Sequence, residues 1–231
     1  MIGIFDSGVG GFCAFEHLRG LLPDEDIVYL ADGENSPYGT KSADEIKEIT
    51  EKNIRRLRGA GADIVLIACC TASSLHHRLS ESDRRISIPI IQPSARLAAM
   101  GGKNIAVIAT RHTASTHAFA SEIKKYSNAH VSEYAEQELV ALVEGGNRWG
   151  RIDKKCAEYL KAVAEKIKRG GADTLILGCT HFSHLLGEIE RLLPKVKVIS
   201  PAHVGAEETA RAVTNLKKRR GDSCPKKRKD I

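Results

Sequence analysis

The sequence predicts an α/β fold of two pseudo-symmetric domains, each with a mainly parallel sheet flanked by helices, and an active site in the cleft between them. Short β-branched runs alternate with helical patterns along the chain, and that alternation produces parallel sheets. The segment Gly61-Ala62-Asp63-Ile64-Val65-Leu66-Ile67-Ala68-Cys69 is matched by Gly171-Ala172-Asp173-Thr174-Leu175-Ile176-Leu177-Gly178-Cys179, so one unit occurs twice. Each copy reads as a turn, a fully buried strand and a cysteine at the strand's carboxyl end, the edge where open α/β sheets gather ligands.

Taken in order, residues 1–5, 27–30, 64–68, 88–91, 105–109, 174–177 and 196–199 are read as strands. The first runs into Asp6-Ser7-Gly8-Val9-Gly10-Gly11, a glycine-rich turn that fails as a dinucleotide fingerprint because Cys13 holds the third glycine position. Ser42-Ala43-Asp44-Glu45 has capping-box spacing, and Ile46, Ile49, Asn53, Ile54 and Leu57 recur at helical intervals before Gly59. A second helix spans about 154–169, burying Ala157, Leu160, Val163 and Ile167, and stops at Gly170-Gly171. These elements place a first domain at 1–91 plus 204–216, completed by a C-terminal helix from about Gly205. The second domain occupies 92–203, and 217–231 is expected to be a disordered basic tail.

Composition narrows the function classes. An apolar content of 42% over 231 residues supports a full core, and 7 Pro with 20 Gly leave little room for disorder in the body. Six cysteines without paired spacing argue for free thiols rather than a disulfide framework. Neither a basic leader nor an apolar run of roughly 18 residues is visible, so a cytoplasmic protein is expected. The formal charge of +6 invites a nucleic-acid reading, but residues 217–231 carry eight Lys/Arg against two Asp/Glu and leave the rest balanced, 27 against 27. A solvated tail with at most weak attraction for RNA or an anionic surface follows.

Two equivalent cysteines facing one cleft suit proton transfer on opposite faces of a carbon, which is what racemisation at an α-carbon requires. A thiol titrates at about 8.5, close enough to neutrality for Cys69 and Cys179 to alternate between acid and base. Each precedes an expected helix N-terminus, whose free amides favour a thiolate or a substrate carboxylate. The hydroxyls of Thr71, Ser73 and Thr180 there bind ligand or cap the helix. Either cysteine alone reads as core packing, and only the repeat raises the pair above that. Cys69, Cys70, Cys179 and His181 match no structural zinc spacing, so no metal site is expected. Gly39-Thr40-Lys41-Ser42 is no phosphate-binding loop, and Tyr38 reads as a loop aromatic with a hydroxyl that could face ligand. His76, His77, His112, His117 and His184 offer no usable spacing.

Phe5-Asp6-Ser7-Gly8-Val9-Gly10-Gly11, Pro37-Tyr38-Gly39-Thr40, Cys69 with Thr71-Ala72-Ser73, Val143-Glu144-Gly145 and Gly178-Cys179-Thr180-His181 together resemble the glutamate racemases of the aspartate/glutamate racemase family, in family order. The resemblance implies a bacterial cytoplasmic enzyme with no cofactor that supplies D-glutamate for peptidoglycan and often forms a homodimer. It implies Cys69 and Cys179 as proton donor and acceptor, helped by Asp6 and His181, with Glu144 close by. Asp6, Ser7, Tyr38, Gly39, Thr71, Thr180 and His181 would surround the substrate, together with residue 70. There Cys70 stands where the family usually has Asn, replacing a strong hydrogen-bonding anchor with a weak one. Residues 91–94 look shortened, and Ser200 stands where Asp is usual. A relative acting on aspartate or another small acid, or a non-catalytic binding protein whose tail engages nucleic acid, are the alternatives.

Overall fold

The computed structural model describes residues 1–220; residues 221–231, most of the expected tail, lie outside the described residues. Two four-stranded sheets are present, all of whose strand pairs are parallel. The first contains β1 (Ile2–Asp6), β2 (Ile27–Ala31), β3 (Ile64–Ile67) and β4 (Ser87–Pro89) in the order β2-β1-β3-β4. The second contains β5 (Asn104–Ala109), β6 (His130–Ala135), β7 (Thr174–Gly178) and β8 (Lys197–Ile199) in the order β6-β5-β7-β8. The register repeats as well: Phe5 lies opposite Ile67 and Ile108 opposite Leu177, each two residues before a cysteine of the repeat.

Both copies of the repeat open on a left-handed glycine, Gly61 at φ +98° and Gly171 at φ +66°. A side chain there would be strained, so glycine lets each preceding helix turn straight into its strand. Helix Ala43–Gly59 has the predicted capping box, Ser42 Oγ accepting from the Glu45 amide at 3.3 Å and Glu45 Oε2 accepting from the Ser42 amide at 2.9 Å. Helix Lys154–Arg169 starts on Asp153, which accepts from the Cys156 amide at 2.7 Å. Its buried stripe holds Cys156 alongside Leu160, Val163 and Ile167, whereas Ala157 is only half-buried.

Three departures from the sequence reading have physical causes. Strand β6 was missed because its side chains are half-buried and polar, as befits an edge strand. The fourth strand ends at Pro89, not residue 91; Ile91 starts helix Ile91–Ala99, its amide donating to the buried Ser73 Oγ at 3.1 Å. The last helix, Pro201–Arg220, starts before Gly205 and runs past residue 217, where the tail was expected to begin.

That helix packs on helix Phe12–Leu21, helix Ile91–Ala99 and β3. A single apolar cluster runs from Ile2, Ile4 and Leu66 through Ile90 and Ala95 to Val107, Ile176 and Ile199, so the two lobes share a core. Separate clusters fill the outer faces around Phe5 and Ile67 in one lobe and Leu177 and Phe182 in the other. Among the described residues no helix is long and apolar enough to cross a membrane.

Candidate active site

The carboxyl ends of both sheets border one cavity of about 230 Å³, and Cys69 and Cys179 both line it. Ser7, Cys70, Thr71 and Thr180 join them, as do Tyr38 with Gly39 and His181 with Glu144. Ser73 is absent from the wall, and so is Asp6. It is wholly buried beneath, accepting from Thr180 Oγ1 at 3.2 Å and from the Gly8 amide at 3.0 Å. The carboxylate of the first lobe thus holds a hydroxyl of the second. Burial raises its pKa, and the nearby His181 charge only partly offsets that.

On the first lobe, Cys69 has extended backbone and leads into helix Cys70–Ser74, barely more than one turn long. Its Sγ lies 3.6 Å from Ser7 Oγ. Burial, reinforced by the Asp6 charge, pushes this thiol up to about 12. The expectation that the helix terminus would favour the thiolate is therefore corrected at Cys69: desolvation outweighs the amide and hydroxyl contacts. Ser73 is fully buried and serves the fold through Ile91. Tyr38 meets the cavity, but its hydroxyl is engaged elsewhere, donating to Asp32 Oδ2 at 2.6 Å and accepting from Asn53 Nδ2 at 3.0 Å.

On the second lobe, Cys179 follows β7 directly and enters the 3-10 segment Thr180–Leu185, not an α-helix. Its Sγ is 3.6 Å from His181 Nδ1, and His181 Nε2 is 3.3 Å from Glu144 Oε1. Burial alone would depress the imidazole. The Cys179 charge and hydrogen bond, followed by Glu144 and Asp6, outweigh it and raise His181 to about 11. An imidazolium therefore stands against the Cys179 sulfur, and the contact with His181 holds the Glu144 carboxyl below its usual range.

Cys70 is 3% exposed, and burial keeps it protonated, so the wall offers a weak donor at that position. Sequence reasoning missed Thr110, Arg111 and Gln137, which enter the wall from the second lobe. Aligning β1 with β5 through their partners β3 and β7 would have found Thr110 and Arg111, but the two strands share no residue pattern; Gln137 follows β6. It also missed a link between the lobes: Cys13 Sγ lies 3.2 Å from His184 Nδ1, whose Nε2 is 3.3 Å from the Val9 carbonyl. Next to Val9, a Cβ on Gly10 would come within 2.6 Å of Thr180 Oγ1 and 2.7 Å of His181 Nδ1, so this close approach needs glycine.

A sequence profile of the Asp/Glu/Hydantoin racemases matches residues 14–209. The chain belongs to this racemase family. It is 35% identical over 232 residues to the glutamate racemase of Fusobacterium nucleatum, covering 95% of this chain and 85% of that one. The glutamate racemase of Mycobacterium leprae is 37% identical over 220 residues, covering 92% and 79%. Among solved structures, a glutamate racemase of Bacillus anthracis superposes with a TM-score of 0.80 at 28% identity, covering 96% of this chain and 83% of that one. The two-lobed α/β architecture is thus that of racemases, and the chain is an isomerase of the amino-acid racemase type.

Proposed function

We propose that this chain interconverts L- and D-glutamate without an added cofactor, with Cys69 and Cys179 as opposed acid and base. The observation that carries the reading is the pair of repeat cysteines bordering one cavity from two pseudo-symmetric lobes. In one direction the Cys179 thiolate takes the α-proton from one face while the Cys69 thiol delivers a proton to the other; the reverse direction exchanges the roles. Negative charge developing on the substrate meets the His181 imidazolium and the hydroxyl of Thr71. Asp6, Ser7, Gly39, Cys70 and Glu144 complete the surroundings, Asp6 acting through Thr180.

The same proposal places the enzyme in a bacterial cytoplasm, supplying D-glutamate for peptidoglycan, as a homodimer. It divides the lobes at 1–91 plus 204–216 and 92–203. The test is solvent-deuterium incorporation at the α-carbon of L-glutamate and L-aspartate, read by NMR with chiral analysis. Exchange with inversion on glutamate alone supports the reading, exchange on aspartate alone replaces the substrate, and no exchange on either defeats it.

A further inference from the structure

The pseudo-twofold between the lobes can be followed residue by residue past the strand ends. Since Phe5 faces Ile67 and Ile108 faces Leu177, Asp6, Ser7 and Gly8 occupy the places that Ala109, Thr110 and Arg111 occupy in the other lobe. Ser7 and Thr110 both line the cavity, so the symmetry keeps a hydroxyl on each side. At the next position it breaks: glycine on one side, arginine on the other.

Arg111 is the only Lys or Arg among the residues lining the cavity. Its backbone is fixed, the amide donating to Gln137 Oε1 at 3.2 Å and the preceding Thr110 Oγ1 accepting from the Thr113 amide at 3.2 Å. The one carboxylate in the wall, Glu144, is engaged with His181. Racemisation explains why such a group should be single. Enantiomers exchange the face that bears the α-hydrogen, so the acid/base group must be duplicated. Their side chain ends in the same carboxylate, which needs one reader.

We propose that Arg111 is the specificity-determining residue that holds the side-chain carboxylate of an acidic amino-acid substrate. The inference rests on the proposed racemase reading and deepens it. A guanidinium presents several donors in a planar fork matched to a carboxylate, and its reach lets the α-carbon stay between the thiols. With Cys70 a poor donor, Arg111 supplies a strong, charge-selective anchor.

The test compares Arg111→Ala, Arg111→Gln and Arg111→Lys with the unaltered protein, using glutamate and the neutral isostere glutamine in both α-deuterium exchange and calorimetric binding. Arg111→Ala and Arg111→Gln are expected to weaken glutamate binding about 10- to 100-fold, chiefly in KM, while glutamine is little affected. Arg111→Lys should recover part of the loss. Glutamate affinity within about twofold of the parent, or equal losses for glutamate and glutamine, would overturn the assignment. Selective loss of glutamate binding in a protein that exchanges nothing would uphold Arg111 while defeating the racemase reading. Turnover insensitive to Arg111 would do the reverse, and a parent that binds neither compound would defeat both.

Discussion

The two cysteines occupy equivalent positions on equivalent strands, yet their surroundings differ in sign. Cys69 faces a hydroxyl, Ser7, with the Asp6 carboxyl behind it, and burial keeps it a thiol. Cys179 faces an imidazolium that Glu144 steadies. The backbone device was duplicated and the electrostatics were not. Burial therefore holds the proton on Cys69, while a positive charge stands beside the Cys179 sulfur. This asymmetry cannot favour one enantiomer in kcat/KM, because enantiomers have equal free energy in water and the two directions must match. It acts on the distribution between the two enzyme forms, and hence on which thiol reacts first with an outside reagent.

The strongest way to break the comparison is to remove each thiol in turn. Cys69→Ser and Cys179→Ser should each lower racemisation by about 10²- to 10⁴-fold, the usual worth of a general acid or base, measured by circular dichroism of the glutamate product. Near-parental activity in either variant would mean one thiol serves both faces. Next comes Gly10→Ala, which drives a methyl group into Thr180 and His181 where the lobes meet. A loss in kcat/KM on the order of 100-fold is expected from misplacing the second thiol's partner, with the melting temperature as control.

His181→Asn sharpens the comparison by removing the charge difference. His181 holds its proton to about 11, so in the parent protein the imidazolium persists throughout the neutral range and is lost only above it. Iodoacetamide should therefore label Cys179, beside the imidazolium, before the desolvated Cys69. In His181→Asn the labelling of Cys179 should slow, as followed by peptide mass spectrometry; an unchanged rate would remove the imidazolium from the account. The smallest catalytic effect belongs to Tyr38→Phe. Its hydroxyl bonds Asp32 and Asn53, so the variant should lose about 1–3 kcal/mol of stability in urea unfolding while KM moves little. A large KM change with intact stability would return that hydroxyl to the substrate.

Much of this arrangement was legible in the sequence because the repeated segment carries its own meaning: a left-handed glycine, a buried strand, then a reactive group. The Cys179–His181 pair was visible through the family resemblance of Gly178-Cys179-Thr180-His181. Edge strand β6 was not, since half-buried polar residues leave no hydrophobic period. Arg111 and Thr110 escaped because the pseudo-twofold relates β1 to β5 through hydrogen-bond register and not through residue type. The protonation of Cys69 was misread for a different reason: desolvation depends on everything packed around the sulfur, and Asp6 lies 63 positions away in the chain.

Helix Pro201–Arg220 lies against helix Phe12–Leu21 and the first sheet. During synthesis, the second lobe's strands therefore leave the ribosome before the helical cover over Leu66 and Ile90 has been made. The first lobe, though translated first, has to wait with an apolar flank uncovered, so assembly proceeds against the order of translation. A chain truncated near residue 200 should hold all eight strands yet leave the apolar flank of its N-terminal sheet uncovered, and chaperones would meet this protein at its beginning rather than its end.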